Sequence, residues 1–248
     1  MNSSENILMT ITPKRVIEVA TELCETGEFE KIASEHDLTF RKSKLDEFLR
    51  GDMVQVMIQE MAQEEDSNLE NYIIAFFFEY ERIQVHNRVT ELARKLCESG
   101  VFKQVAFKHS LSFSEAKLDE FLRSYTFNEM VKAISEEEDP EIYEGEDGDK
   151  TLGDYLISVF FEYRKNQLKN RVNKMLDEFF QIGVFQKIAL EDNLNFSKSK
   201  LEQFLRDNLD DMVNTLLMEK DSLYQGEDGD KLLGGYLISV CVDNTMQE

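Results

Sequence analysis

Oxygen donors crowd one stretch of this chain. Between Glu136 and Asp149, nine of fourteen residues are Asp or Glu, and Gly145-Glu-Asp-Gly-Asp-Lys150 returns as Gly226-Glu-Asp-Gly-Asp-Lys231. Carboxylates at that density can hold a hard cation such as Ca²⁺ or meet a basic partner. An EF-hand needs oxygen ligands at loop positions 1, 3, 5 and 12 with glycine at 6. Setting Gly148 at position 6 puts Tyr143 at position 1, and setting Gly145 there puts Pro140 at position 1. Both frames fail. The expectation is a solvated turn ahead of a helix, with partner contact and weak Ca²⁺ binding left open. The acidic candidates for partner contact are Glu146, Asp147, Asp149, Glu227, Asp228 and Asp230.

Every other reactive side chain faces a test that the chain itself supplies, because it states nearly the same sequence three times. Arg15 to Phe29 corresponds to Arg88 to Phe102 and to Arg171 to Phe185. Lys44-Leu-Asp-Glu-Phe-Leu-Arg50 returns as Lys117 to Arg123 and as Lys200 to Arg206, and Tyr155 to Val159 matches Tyr72 to Phe76 and Tyr236 to Val240. A residue essential to chemistry should not give way to an inert one in a sister repeat. His36 and His109 share a position that Asp192 fills in the third repeat, and His86 corresponds to Lys169. Cys24 and Cys97 stand where Phe180 stands, and Cys241 stands where Phe77 and Phe160 stand. Cysteine exchanged for phenylalanine behaves as a small core hydrophobe. No spacing resembles a zinc site, a phosphate loop or a nucleophile elbow. No catalytic, metal or cofactor residue is assigned, and the chain reads as non-enzymatic.

Phe29 to Arg50 has the rhythm of a helix-turn-helix, with Arg41, Lys42 and Lys44 opening its second helix. The equivalent residues Ser114, Glu115 and Lys117 form a poor phosphate-binding set, so the motif reads as packing and not as a DNA reader. Fifty acids against 28 bases, a formal charge of −22, repel phosphate backbones and anionic membranes. The expected partner is a basic protein, with no direct nucleic acid and no membrane insertion. An acidic nucleic-acid mimic is the alternative that this charge suggests. Three cysteines argue against a disulfide framework. No basic segment precedes an apolar core in Met1 to Thr10. Cytoplasmic placement is the default, with nuclear and ciliary placement open.

The elements that carry these residues read as helices. Val16, Val19, Ala20, Leu23 and Cys24 follow the i, i+3, i+4 rhythm of one apolar helix face, and the other repeats keep the register. Gly27, Gly100 and Gly183 follow each stripe, where glycine ends a helix. Thr39, Ser112 and Asn195 are N-cap types that would open a third helix, with Glu115 completing a capping box. Only two prolines occur in 248 residues, and no helix breaker lies between Leu69 and Ser99 or between Asp154 and Ile182. The fold class expected is all-α: an elongated array of three tandem four-helix-like repeats, with long helices shared between neighbours. Kinks near Asn87 and Asn170 would instead give separate beads. The divisions are an arm over 1–13 and repeats over 14–87, 88–170 (acidic insert 136–150) and 171–248 (acidic insert 219–231). The aromatic block containing Phe76, Phe78 and Tyr80, with Tyr163 in the second repeat, reads mainly as core. Any excess would form an apolar groove for a partner helix.

Leu118-Asp-Glu-Phe-Leu122, the acidic stretch that follows it, Lys150-Thr-Leu-Gly-Asp-Tyr155, Glu162-Tyr163 and Leu176-Asp-Glu-Phe179 resemble BART-type domains. The resemblance covers a minor part of the chain and does not include the threefold repetition. It implies a helical module that binds an Arf-like small GTPase in a ciliary setting.

Overall fold

Glycine punctuates each repeat as the spacing predicts. In the computed structural model, which describes residues 11–36, 38–61, 68–109, 111–137, 143, 145–218 and 226–245, Gly27, Gly100 and Gly183 have φ of 75°, 76° and 73°. Each is the single left-handed residue between two helices, a conformation that glycine adopts without steric penalty. Twelve α-helices and no strand are found among the described residues. The protein is all-α.

The first repeat opens with α1 (Pro13–Glu25), where the Thr12 hydroxyl accepts from the Arg15 N–H and proline takes the first turn. Then come α2 (Glu28–Glu35), α3 (Lys42–Arg50), α4 (Met53–Met61) and α5 (Leu69–Glu98). The order continues with α6 (Val101–Lys108), α7 (Glu115–Leu122), α8 (Tyr125–Ser135), α9 (Gly145–Ile182), α10 (Val184–Glu191), α11 (Lys198–Met218) and α12 (Gly226–Thr245). Helices α5 and α9, of 30 and 38 residues, run without a break past Asn87 and Asn170. The long helices shared by adjacent repeats are therefore present.

Two local expectations change. Thr39, Ser112 and Asn195 are not N-caps, because α3, α7 and α11 each start three residues after them. The cause is aromatic. Phe40 stacks on Phe29 at 5.0 Å and Phe113 on Phe102 at 5.3 Å, which keeps the chain extended up to each ring. The single expected third helix is divided at Gly51 and near Arg123 into α3 with α4 and α7 with α8, whereas α11 stays whole. The first two repeats thus have five helical segments where the pattern suggested four, and the third keeps four.

The helices form two compact units, residues 1–92 with 127–152 and residues 93–126 with 153–248. The dividing points fall inside α5, α8 and α9. In the first unit Val16, Val19, Ala20 and Leu23 of α1 pack with Phe29, Phe48, Met57, Ile73 and Phe77. Phe77 is fully buried, edge-on to Phe29 at 5.4 Å. In the second unit Phe160 meets Phe102 at 5.4 Å in the same manner. Around Leu201, Val213 and Leu237 a further core holds Cys241 fully buried at the position of those phenylalanines.

Candidate interaction surfaces and a charged cleft

The recurrent acidic motif is helix, not a turn ahead of one. Gly145 to Lys150 form the first turns of α9, and Gly226 to Lys231 those of α12, where carboxylates favour the positive end of the helix dipole. Gly148 is needed by close approach, since a Cβ there would lie 2.2 Å from the Tyr143 carbonyl carbon. Asp149 accepts from Arg88 at 2.8 Å, and the same guanidinium donates to the Tyr143 carbonyl. Asp230 accepts from Arg171, Nε lying 3.0 Å away. Arg88 and Arg171 begin the first-helix stripe of their repeats, so each insert is clasped by the arginine that opens its own repeat. Arg15, whose repeat lacks the insert, pairs instead with Glu18 on its own helix at 3.6 Å. Sequence reasoning missed this clasp. The signal was available, for insert and distant arginine recur together at separations of 61 and 59 residues.

The partner candidates are thereby sorted. Glu146 and Asp147 are exposed, while Asp149 and Asp230 are exposed but held by arginine. The side chains of Glu227 and Asp228 lie outside the described residues. No group of His, Cys, Asp and Glu able to hold a metal ion is found among the described residues.

The aromatic candidates belong mainly to the core. Tyr80 and Tyr163 are each only 8% exposed, so neither is offered to a partner helix. Tyr80 packs 5.3 Å from Phe48, and Tyr163 packs 5.3 Å from Phe121. Phe76 and Phe78 are half-buried, packed against Phe48 and Phe29. The α5 rings face Phe29 of α2 and Phe48 of α3, and Tyr163 of α9 faces Phe121 of α7.

Beside Tyr80 is the most unusual electrostatic position. Glu81, at the wall of a cleft of about 200 Å³, has its carboxyl pushed up to about 7 by burial, with Glu47 adding to the rise and Arg41 and Lys44 opposing it. Its Oε1 is buried without a hydrogen-bond partner among the described residues, and Arg41 Nη2 stands 3.7 Å away. Lys44 bonds Glu47 at 3.1 Å. Two of the three cations of the helix-turn-helix motif are thus already paired with carboxylates, Arg41 with Glu81 and Lys44 with Glu47. In the second repeat the residue after the buried tyrosine is Arg164, 5% exposed, its guanidinium pulled down by burial while Glu120 resists. The position keeps a buried charge but reverses its sign.

Among the histidines, His36 and His109 are exposed and His86 lies edge-on to Phe127 at 5.2 Å. All three cysteines are free thiols. Burial pushes Cys241 up to about 12.

Charge and apolar surface divide between the units. The residues of the first unit include 29 acids against 11 bases, a formal −18, and those of the second 21 against 17, or −4. The most exposed large apolar side chains, Phe107 at 86% and Leu190 at 84%, both lie in the second unit. They occupy the same repeat position, on α6 and α10, where the first repeat has Ser34. No described helix is long and apolar enough to cross a membrane. Comparison with family models, with curated proteins and with solved structures returned no match.

Proposed function

We propose that this protein is a non-enzymatic α-helical scaffold or adaptor that holds a basic protein partner. The observation carrying this reading is the gathering of charge: a formal −18 within one compact unit, with Glu146 and Asp147 standing exposed at the start of α9. Such a field steers a cationic partner and suppresses an anionic one. Phe107 and Leu190 supply apolar anchors that charge alone lacks, since large exposed apolar residues concentrate binding energy when a partner desolvates them. Three free thiols suit a reducing compartment, and we assign the cytoplasm.

The test is titration of a lysine-rich protein or peptide into the full chain at low and at high salt. Binding is expected to weaken roughly tenfold or more between 50 and 500 mM salt as screening shortens the reach of the carboxylates. Glu146→Gln with Asp147→Asn should weaken it further without unfolding the chain. Affinity indifferent to salt, or equal for an acidic peptide, would overturn the reading.

A further inference from the structure

We propose that one molecule docks head to tail on a second copy of this chain, the partly exposed face of repeat 3 meeting the partly exposed edge of α4 in repeat 1. This goes beyond the basic-partner reading and does not rest on it.

The same junction is made twice within the chain. In the first unit the Thr39 hydroxyl, on the loop after α2, donates to the Glu137 carbonyl just beyond α8 at 3.0 Å. There Ile74 and Asn71 of α5 share a cleft with Lys132 and Glu136. In the second unit Ser112, the counterpart of Thr39, donates its N–H to the Leu217 carbonyl of α11 at 3.2 Å. Its neighbour Leu111 packs on the core to which α11 contributes. Each junction sets the loop after the second helix of one repeat against the later part of the third-helix region of the next, α8 in one case and the undivided α11 in the other.

Burial shows what these junctions cover. Ile74 and Ile157 are 5% and 7% exposed, but Ile238, their counterpart in repeat 3, is only partly buried. On the receiving side Val131 and Val213 are completely buried, but their counterpart Ile58 on α4 is only partly buried. Asn195, which stands where Thr39 and Ser112 stand, is exposed. Repeat 3 therefore presents one half of the junction and repeat 1 presents the other.

The composition of α4 supports the match. Met-Val-Gln-Val-Met-Ile-Gln-Glu-Met has Glu60 as its one ionisable residue, in a chain that is 31% charged, and Val56 is exposed. An apolar, nearly uncharged edge of this kind suits the core of a protein interface. Charge permits this polarity without selecting it, since two −4 units would repel least. Bringing the −4 residues of one molecule to the −18 residues of another incurs less repulsion than joining two −18 units. A head-to-tail contact leaves each pair with two unused edges, so association passes beyond the dimer unless a ring closes.

Sedimentation velocity on the full chain, over rising protein concentration at low and at molar salt, reads this directly. Dimers and larger species are expected, and salt should increase them because it screens repulsion between two acidic molecules. Salt acts in the opposite direction on the basic partner, so the two proposals fail separately. Ile238→Glu puts a charge on the repeat 3 face, at the counterpart of the buried Ile74 and Ile157. Ile58→Glu charges the α4 edge, with circular dichroism confirming that it folds. Each variant alone should weaken self-association at least tenfold. An equimolar mixture should restore a dimer and stop there, since each variant keeps the edge that the other lacks. A wild-type chain that stays monomeric throughout overturns the proposal. So does a folded Ile238→Glu chain that associates like wild type, or a mixture of folded variants that remains monomeric; if one variant does not fold, the other decides alone.

Discussion

Arg88 reaches Asp149 at 2.8 Å while donating to the carbonyl of Tyr143, and so ties the start of α9 to the middle of α5. Both side chains of the ion pair are substantially exposed, so its electrostatic share is small, on the order of 1 kcal/mol or less. The carbonyl bond matters locally. Arg88→Ala is expected to lower the melting temperature only slightly, yet to speed amide exchange over 145–150. Asp149→Asn should do less, because it spares the carbonyl contact. Equal exchange in the two variants would show that the carbonyl bond is idle.

Gly148 and Gly235 make opposite predictions from one chemical change. A methyl at 148 must displace the backbone of Tyr143, whereas a methyl at 235 enters open space. Gly148→Ala should destabilise by about 1–3 kcal/mol, the range for forced overpacking. Gly235→Ala should stabilise by about 0.5–1 kcal/mol through helix propensity. Urea denaturation of both variants measures the difference in sign.

Glu81 predicts how stability changes with pH. Its folded value of about 7 lies above the usual 4.5, so folding binds a proton there. The stability it contributes is fully present below pH 4.5 and is lost as pH rises through about 7. Glu81→Gln should remove that loss and gain as much as about 3 kcal/mol over wild type at pH 8, with little difference at pH 4. The difference between the two stability curves is the readout. A constant offset would place the effect in packing instead.

Thiol chemistry should separate the cysteines. Cys241 is fully buried and held near 12, so it should resist labelling until the chain unfolds, while the half-buried Cys24 and Cys97 react in the native state. Burial also raises Cys97, which should slow it at neutral pH. Replacing Cys241 with the phenylalanine of its counterparts should cost about 1–3 kcal/mol by overpacking. Phe77→Ala should cost about 3–5 kcal/mol.

The apolar rhythm of Val16, Val19, Ala20 and Leu23, the stops at Gly27, Gly100 and Gly183, and the absence of breakers through α5 and α9 were legible, because backbone periodicity and glycine chemistry are local. What escaped depended on partners distant in sequence. The start of α3 is set by the stacking of Phe40 on Phe29, which overrides the capping preference of Thr39. The inserts read as solvated turns because their counter-charges, Arg88 and Arg171, lie about sixty residues upstream. The mainly core reading of Tyr80 and Tyr163 agrees with their burial, but the buried charge beside each was hidden among fifty acids.

One consequence follows from where the two units divide. The dividing points lie inside α5, α8 and α9, near residues 92, 126 and 152, not in loops. A helix cut in its interior leaves up to four carbonyls orphaned on one side of the cut and up to four amides on the other. Limited proteolysis should therefore spare these borders, and a truncation placed there should yield fragments with frayed, sticky ends.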